Sequence, residues 1–278
     1  MRLDLSQRVH ALCTQLERSA HIPPPHEHLA LVLCGQVCGS VHPAVAQALV
    51  NAKLGFYIEN DHLILREHAL DFEARTELLH RAALSLLDRK LISAWRNEAL
   101  PVLADPKHPP VARIERAACR ALGLTTFGVH LNAWVSGSFL LARRAAHKRI
   151  NPGQWDTLVG GIVTANESER VALDREAFEE VGLALGRHHP KPHRRLHVWR
   201  PVPEGYQSEV IRVFDVELPS DIKLVNNDNE VDLIQLHSVE ETLDAIEAGS
   251  VMLEAALCIL ESLARHSQLD IGRGLYIK

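Results

Sequence analysis

The chain has 278 residues, 46% of them hydrophobic and 23% charged, a balance that supplies buried cores for two domains of ordinary soluble type. Its 30 Lys and Arg against 35 Asp and Glu leave a formal net charge of -5, and with no basic block along the chain a nucleic-acid partner is not expected. The five cysteines, at 13, 34, 38, 119 and 258, include no CxxC pair, so reduced thiols are expected rather than a disulfide framework or a zinc knuckle.

Met1 to Leu12 carries Arg2, Asp4 and Arg8 inside any apolar run. No signal peptide is expected there, and a cytoplasmic location follows as an expectation. Periodicity then predicts a helix over 5–20, a strand in LALVLC (29–34), a helix over 42–52, and strands at 56–58 and 63–65. Helices over 72–89 and 113–122 come next. From Ala121 to Ala142 no acidic or basic side chain occurs if His130 is neutral, which is long enough to cross a bilayer. Alternation of Phe127, Val129, Leu131, Ala133 and Val135 instead predicts a strand, a Ser-Gly-Ser turn and a second strand over 139–143, so no membrane partner is expected. A helix over 168–181, strands at 196–202 and 210–218 about a Pro203-Glu204-Gly205 turn, and a strand at 231–236 follow. The capping box from Ser238 to Glu241 opens a helix that Gly249 stops, and a last helix covers 251–266.

The 23 residues from Gly161 to Leu183, GIVTANESERVALDREAFEEVGL, carry the chemistry. They read as G, five residues, E, seven residues, R-E-A-F-E-E-V-G-L. Seven of these positions demand one residue type each, and at frequencies of roughly 7% or below a chance match has odds on the order of one in 10⁸. Glu176, Glu179 and Glu180 stand at i, i+3 and i+4 and share a helix face. Ala177, Phe178, Val181 and Val171 are expected on the opposite, buried side. Asn166 or Ser168 can cap the helix and Gly182 can end it in the left-handed conformation. Gly160 and Gly161 are expected in a loop where a backbone carbonyl approaches a cation. All-oxygen ligands beside phosphate suggest Mg²⁺, with Mn²⁺ as substitute. A solvated acidic helix face is the plain alternative, and Arg175, Glu167 and both glycines in register argue against it.

With these residues in place, the second half resembles the Nudix hydrolase fold. The strings WRNEALPV (95–102), GQVCGSVHP (35–43), GVHLNAWV (128–135), LLARRAAHKRINPGQWDTLVGG (140–161) and NDNEVDLIQL (227–236) make the whole chain similar to a two-domain subgroup. That subgroup is related to the Nudix part of thiamine pyrophosphokinase-like proteins. The resemblance implies an α/β fold: a smaller N-terminal α+β domain, residues 1–125, covering substrate or mediating a homodimer, then a Nudix α/β/α sandwich with a mixed sheet over 126–278. It also implies hydrolysis of a small-molecule diphosphate linked to a group X, with X thiamine or a damaged thiamine and the monophosphate as product. Nucleotide sugars, dinucleotides or coenzyme A are alternative substrates, and a non-catalytic ligand sensor is an alternative role. A diphosphate isomerase needs a placed thiol and a separate His-based metal site, and none of the five cysteines stands in an evident position for it.

In that reading Glu176, Glu179, Glu180 and the Gly161 carbonyl hold one to three ions, and Arg175 orients Glu167 or a ligand glutamate by a charge-assisted bond. The general base is Glu176 or Glu230. Arg144 and Lys148, with Arg143 as alternative, are the candidates for phosphate binding. Trp155 and Asp156 are expected to shape the mouth of the site. A thiazolium or pyrimidine ring wants an aromatic face, for which Trp134, Trp155, Trp199 and Tyr206 are candidates, while Trp95 is expected as a core or interdomain anchor.

Overall fold

The computed structural model describes residues 4–66, 70–103, 108–227 and 229–269. Helix α1 (Leu5–Ala20) opens on a reciprocal cap, the Asp4 carboxylate taking the Gln7 amide at 2.8 Å while the Gln7 side chain takes the Asp4 amide at 3.2 Å. Strands β1 (Leu29–Leu33) and β2 (Gln36–Val41) form a hairpin whose two turn residues, Cys34 and Gly35, both have positive φ. After α2 (Pro43–Asn51) come β3 (Phe56–Glu59), β4 (His62–Leu65) and α3 (Phe72–Asp88). The sheet runs β2-β1-β4-β3, with β1 and β4 parallel. Leu31, Leu33 and Leu63 from its strands pack with Leu49 of α2 and with Leu79 and Leu86 of α3.

The helix expected over 113–122 is mostly something else. Strand β5 (Ala99–Val102) pairs with β6 (Ala112–Glu115), and only one helical turn, α4 (Arg116–Cys119), remains. Ala112 and Ile114 are buried on either side of Arg113, so the segment follows the period of a strand once β5 offers a partner. The paired residues lie 10 to 16 positions upstream, where a local reading of helix propensity does not look.

The second half contains β7 (Thr125–Val135), β8 (Ser138–Arg144), β9 (Trp155–Asp156), β10 (Val159–Ile162), α5 (Glu169–Val181), β11 (Lys191–Val202), β12 (Gly205–Glu217), β13 (Val231–His237), α6 (Val239–Glu247) and α7 (Leu253–His266). The strand-turn-strand expected within 121–142 is β7 and β8, with Ser136 at φ 50° and Gly137 at φ 81°. Among the described residues, no helix is long and apolar enough to cross a membrane. The sheet order is β11-β12-β7-β8-β13, with β10 on β7 and β9 on β8. Strands β12 and β7 are parallel and the other pairs antiparallel, so the sheet is mixed.

Helices cover both faces, which makes the layers α/β/α. On one face Val129, Leu131 and Ala133 meet Ala172, Leu173, Ala177 and Val181 of α5. On the other, Trp134, Phe139 and Leu141 meet Ile259 and Leu263 of α7. Val9, Leu12 and Cys13 of α1 belong to this second cluster, and Ala20 packs with Leu196 and Val198 of β11. Helix α1, expected with residues 1–125, thus lies against the C-terminal layers. Arg8 fixes it there through Glu247 at 2.9 Å and Asp244 at 2.7 Å.

Candidate active site

Helix α5 begins where Ser168 caps it, its hydroxyl taking the Val171 amide at 3.3 Å, and ends where Gly182 turns left-handed at φ 66°. Its buried stripe is Ala172, Leu173, Ala177 and Val181. Val171 and Phe178, expected on that stripe, are 54% and 61% exposed. The correction is geometric: seven residues apart, the two share a line on the helix, but Phe178 on that line is turned about 100° from Ala177 and about 60° from Val181.

Gly160 and Gly161 lie in strand β10, not in a loop, opposite His130 and Val129 of β7. Gly161 leaves room for an acid, since a Cβ there would stand 2.1 Å from the Glu176 carboxyl carbon. The Gly160 amide donates to Glu180 at 3.3 Å. Two carboxylates of the helix are thereby set against one strand. Glu179 is further out, with half its side chain exposed.

Arg175 organises the outer side. Its Nη2 and Nε donate to the two Glu167 oxygens at 2.7 and 3.1 Å, and Nη2 also donates to the Ile162 carbonyl at 3.1 Å. Nη1 lies 2.9 Å from Glu176 and 3.0 Å from Glu179. Glu167 in turn accepts the Thr164 amide at 2.8 Å, which closes the segment between β10 and α5.

These surroundings shift the acids in opposite directions. Burial opposes ionisation of Glu167, yet the Arg175 hydrogen bonds and the Thr164 amide outweigh it and bring that carboxyl below its ordinary range. Burial raises Glu176 despite the pull of Arg175. Glu180 is pushed well up, by burial first, then by the neighbouring charges of Glu176 and Asp156. Hydrogen bonding with Glu167 is the main cause that raises Arg175.

A floor lies behind these groups. Buried Asp156 is 3.3 Å from Arg144, and the Thr157 hydroxyl donates to the Val159 carbonyl at 2.9 Å while meeting His130 Nδ1 at 2.8 Å. Arg144 also donates twice to the Ile150 carbonyl, at 3.2 Å each. Lys148 pairs with Glu230, whose carbonyl takes the Ala145 amide at 2.9 Å. Arg144 and Lys148, read as phosphate binders, therefore stand among the site's own acids. Asp228 of the NDNEVD string lies outside the described residues.

Trp155 faces the other way. It packs in the α7-side cluster, edge-on to His237 at 4.5 Å, with the Arg143 guanidinium 5.9 Å above its ring. Neighbours on a strand point to opposite faces, so Asp156 reaches the box and Trp155 does not. Trp134 is buried against Phe139 and bonds Ser262, and Trp199 stacks on His21 at 3.7 Å. Tyr206 donates to the Ile22 carbonyl at 2.9 Å. Trp95 packs on the N-terminal core beside His80. His130, and the arginines at 96, 116 and 149 that gather near Ile162, carried no local signal because each comes from a different segment.

The donor set suits a hard divalent cation: carboxylates crowded at the Cβ-less strand, one of them burdened by burial among like charges. Among the described residues no group of three His, Cys, Asp or Glu is gathered to hold an ion as it stands, and Arg175 is what engages Glu176 and Glu179.

Residues 129–254 match the model described as NUDIX domain, and residues 9–126 match a domain of unknown function (DUF4743). The chain is 26% identical over 236 residues to an uncharacterized protein of Saccharomyces cerevisiae, spanning 77% of this chain and 68% of that protein. It is 27% identical over 258 residues to Nudix hydrolase 24, chloroplastic, of Arabidopsis thaliana, with shares of 86% and 68%. Nudix hydrolase 20, chloroplastic, of the same plant is 29% identical over 210 residues, with shares of 70% and 54%.

Proposed function

We propose that this chain, whose residues 129–254 belong to the NUDIX domain family, hydrolyses a diphosphate linkage in a small molecule X-diphosphate, releasing a monophosphate. Thiamine diphosphate or its damaged analogues are the substrates this reading puts first, on the strength of the WRNEALPV, GQWDTLVGG and NDNEVD strings. The observation that carries the hydrolase reading is the seating of Glu176 in the space left by Gly161, with Glu180 on the Gly160 amide. It fixes acid against the strand rather than leaving it splayed in water.

Glu176, Glu179, Glu180 and the Gly161 carbonyl would hold Mg²⁺, or Mn²⁺ in its place. Such an ion, when bound, neutralises charge on phosphate oxygens and makes water more acidic. Arg175 keeps the carboxylates in register by spanning Glu167, Glu176 and Glu179. Glu230, held beside Lys148, and Glu176 are the candidates to take the proton of the attacking water. In the balanced reaction, water adds to phosphorus, the bridging P–O bond breaks, and the bridging oxygen leaves with the other phosphate.

A panel of thiamine diphosphate, its oxidised analogues, ADP-ribose and a dinucleotide tests the reading, with monophosphate release as the signal. Turnover of a thiamine-type diphosphate above the others is expected. Preference for the dinucleotide or ADP-ribose overturns the choice of X, and inertness toward all of them favours a ligand sensor.

A further inference from the structure

Between the two halves lies a cavity of about 130 Å³. Residues from both domains line it, among them four arginines, Arg96, Arg116, Arg120 and Arg149, and two glutamates, Glu204 and Glu209. Arg120 is 3.5 Å from Glu204, and Arg116 pairs at 2.8 Å with Glu98 outside the cavity. Among the described residues, no ion pair or side-chain hydrogen bond reaches the guanidinium of Arg96 or Arg149. The lining therefore carries surplus positive charge, with Arg96 and Arg149 exposed to solvent at its rim.

The cavity adjoins the box. Ile162 lines it and packs on the N-terminal core, while its carbonyl receives Arg175 on the α5 side. A diphosphate held at the Glu176 side lies across Ile162 from this arginine wall. The two cations expected for that task from sequence, Arg144 and Lys148, are instead engaged by Asp156 and Glu230.

We propose that this interdomain cavity binds the anionic part of the substrate, with Arg96 and Arg116 from the N-terminal domain and Arg149 from the segment after β8 as its positioning residues. The N-terminal domain then supplies part of the substrate site. This rests on the hydrolase reading above, and the two fail differently.

The test is calorimetric binding of methylene diphosphonate, a diphosphate with no P–O–P bond to cut, to the full chain in EDTA and again with Mg²⁺. Wild type is compared with Arg96→Gln, Arg149→Gln and Arg96→Lys, and KM and kcat are measured on the best hydrolysed diphosphate. Each Gln variant should weaken binding in EDTA by about tenfold, the scale of one charge-assisted hydrogen bond. KM should rise more than kcat falls, and Arg96→Lys should recover part of the loss. Among the described residues neither guanidinium has an ion pair or hydrogen bond to lose, so melting temperatures should stay at the wild-type value. Unchanged affinity and KM in the Gln variants, or no binding by wild type, overturn the cavity assignment even if hydrolysis is robust. Arginine-dependent binding without hydrolysis of any diphosphate upholds the cavity and overturns the hydrolase reading.

Discussion

Arg175 grips Glu167 through two parallel hydrogen bonds, 2.7 Å from Nη2 and 3.1 Å from Nε, across eight residues of chain. A planar fork makes both bonds at once, which an ammonium cannot. Arg175→Lys should therefore lower kcat by about 10- to 100-fold, the usual cost of losing a group that orients metal-binding residues. Steady-state kinetics at saturating Mg²⁺ measure it, and a loss under twofold would show that the fork has no part in turnover.

Gly161→Ala places a methyl where the Glu176 carboxyl sits, 2.1 Å away. Overpacking of this kind costs about 1–3 kcal/mol, and here the side chain that must yield is itself in the site. The variant should melt at lower temperature and lose activity together. Full activity would mean that Glu176 has no need of its present seat.

Glu180 gives a pH signature. Its folded carboxyl titrates well above the 4.5 of an ordinary glutamate, through burial and then the charges of Glu176 and Asp156. The native state thus holds this proton more tightly than the unfolded chain. The stabilisation is complete below the unfolded pKa and is lost as pH rises through the folded pKa. Glu176 is raised as well, again through burial. In EDTA the melting temperature should decline as pH climbs from that range toward neutrality, and Glu180→Gln should flatten the decline. Mg²⁺ held by these acids would require them ionised, so it should raise the melting temperature more at pH 8 than at pH 5. Equal shifts at both pH values would speak against these acids as its site.

Glu230→Gln tests the acid that pairs with Lys148. General base catalysis contributes roughly 10²- to 10⁴-fold, so a fall of about 100-fold in kcat is expected if Glu230 takes the proton. Turnover within about threefold of wild type removes it as base or ligand and leaves the part to Glu176.

The box was legible because everything that defines it is local. Glu176, Glu179 and Glu180 follow from helical spacing, Ser168 and Gly182 from cap chemistry, and the β7–β8 hairpin from alternation about Ser136-Gly137. What escaped the sequence depends on partners distant in the chain. Ala112 to Glu115 is a strand because β5 pairs with it, and α1 joins the C-terminal sandwich because Val9, Leu12 and Cys13 find the α7-side core and Arg8 finds Asp244 and Glu247. Phe178 looked like a core residue by type, but its line on α5 meets no sheet. Trp155 beside Asp156 shows the same limit: a strand sends one to each face, and only the register of β9 against β8 says which. The arginine wall draws on residues 96, 116 and 149, a grouping no spacing rule could find.

The most direct test of the box as a diphosphate-cleaving site compares Mg²⁺-dependent kcat/KM of wild type and Glu179→Gln on the best substrate of the panel, with melting temperatures alongside. Glu179 is exposed on α5, so the substitution should leave the fold intact. The expected result is an unchanged melting temperature with kcat/KM down by about 10²- to 10³-fold, the scale of removing one preorganised electrostatic group. A folded Glu179→Gln protein that releases monophosphate at the wild-type rate would contradict the account.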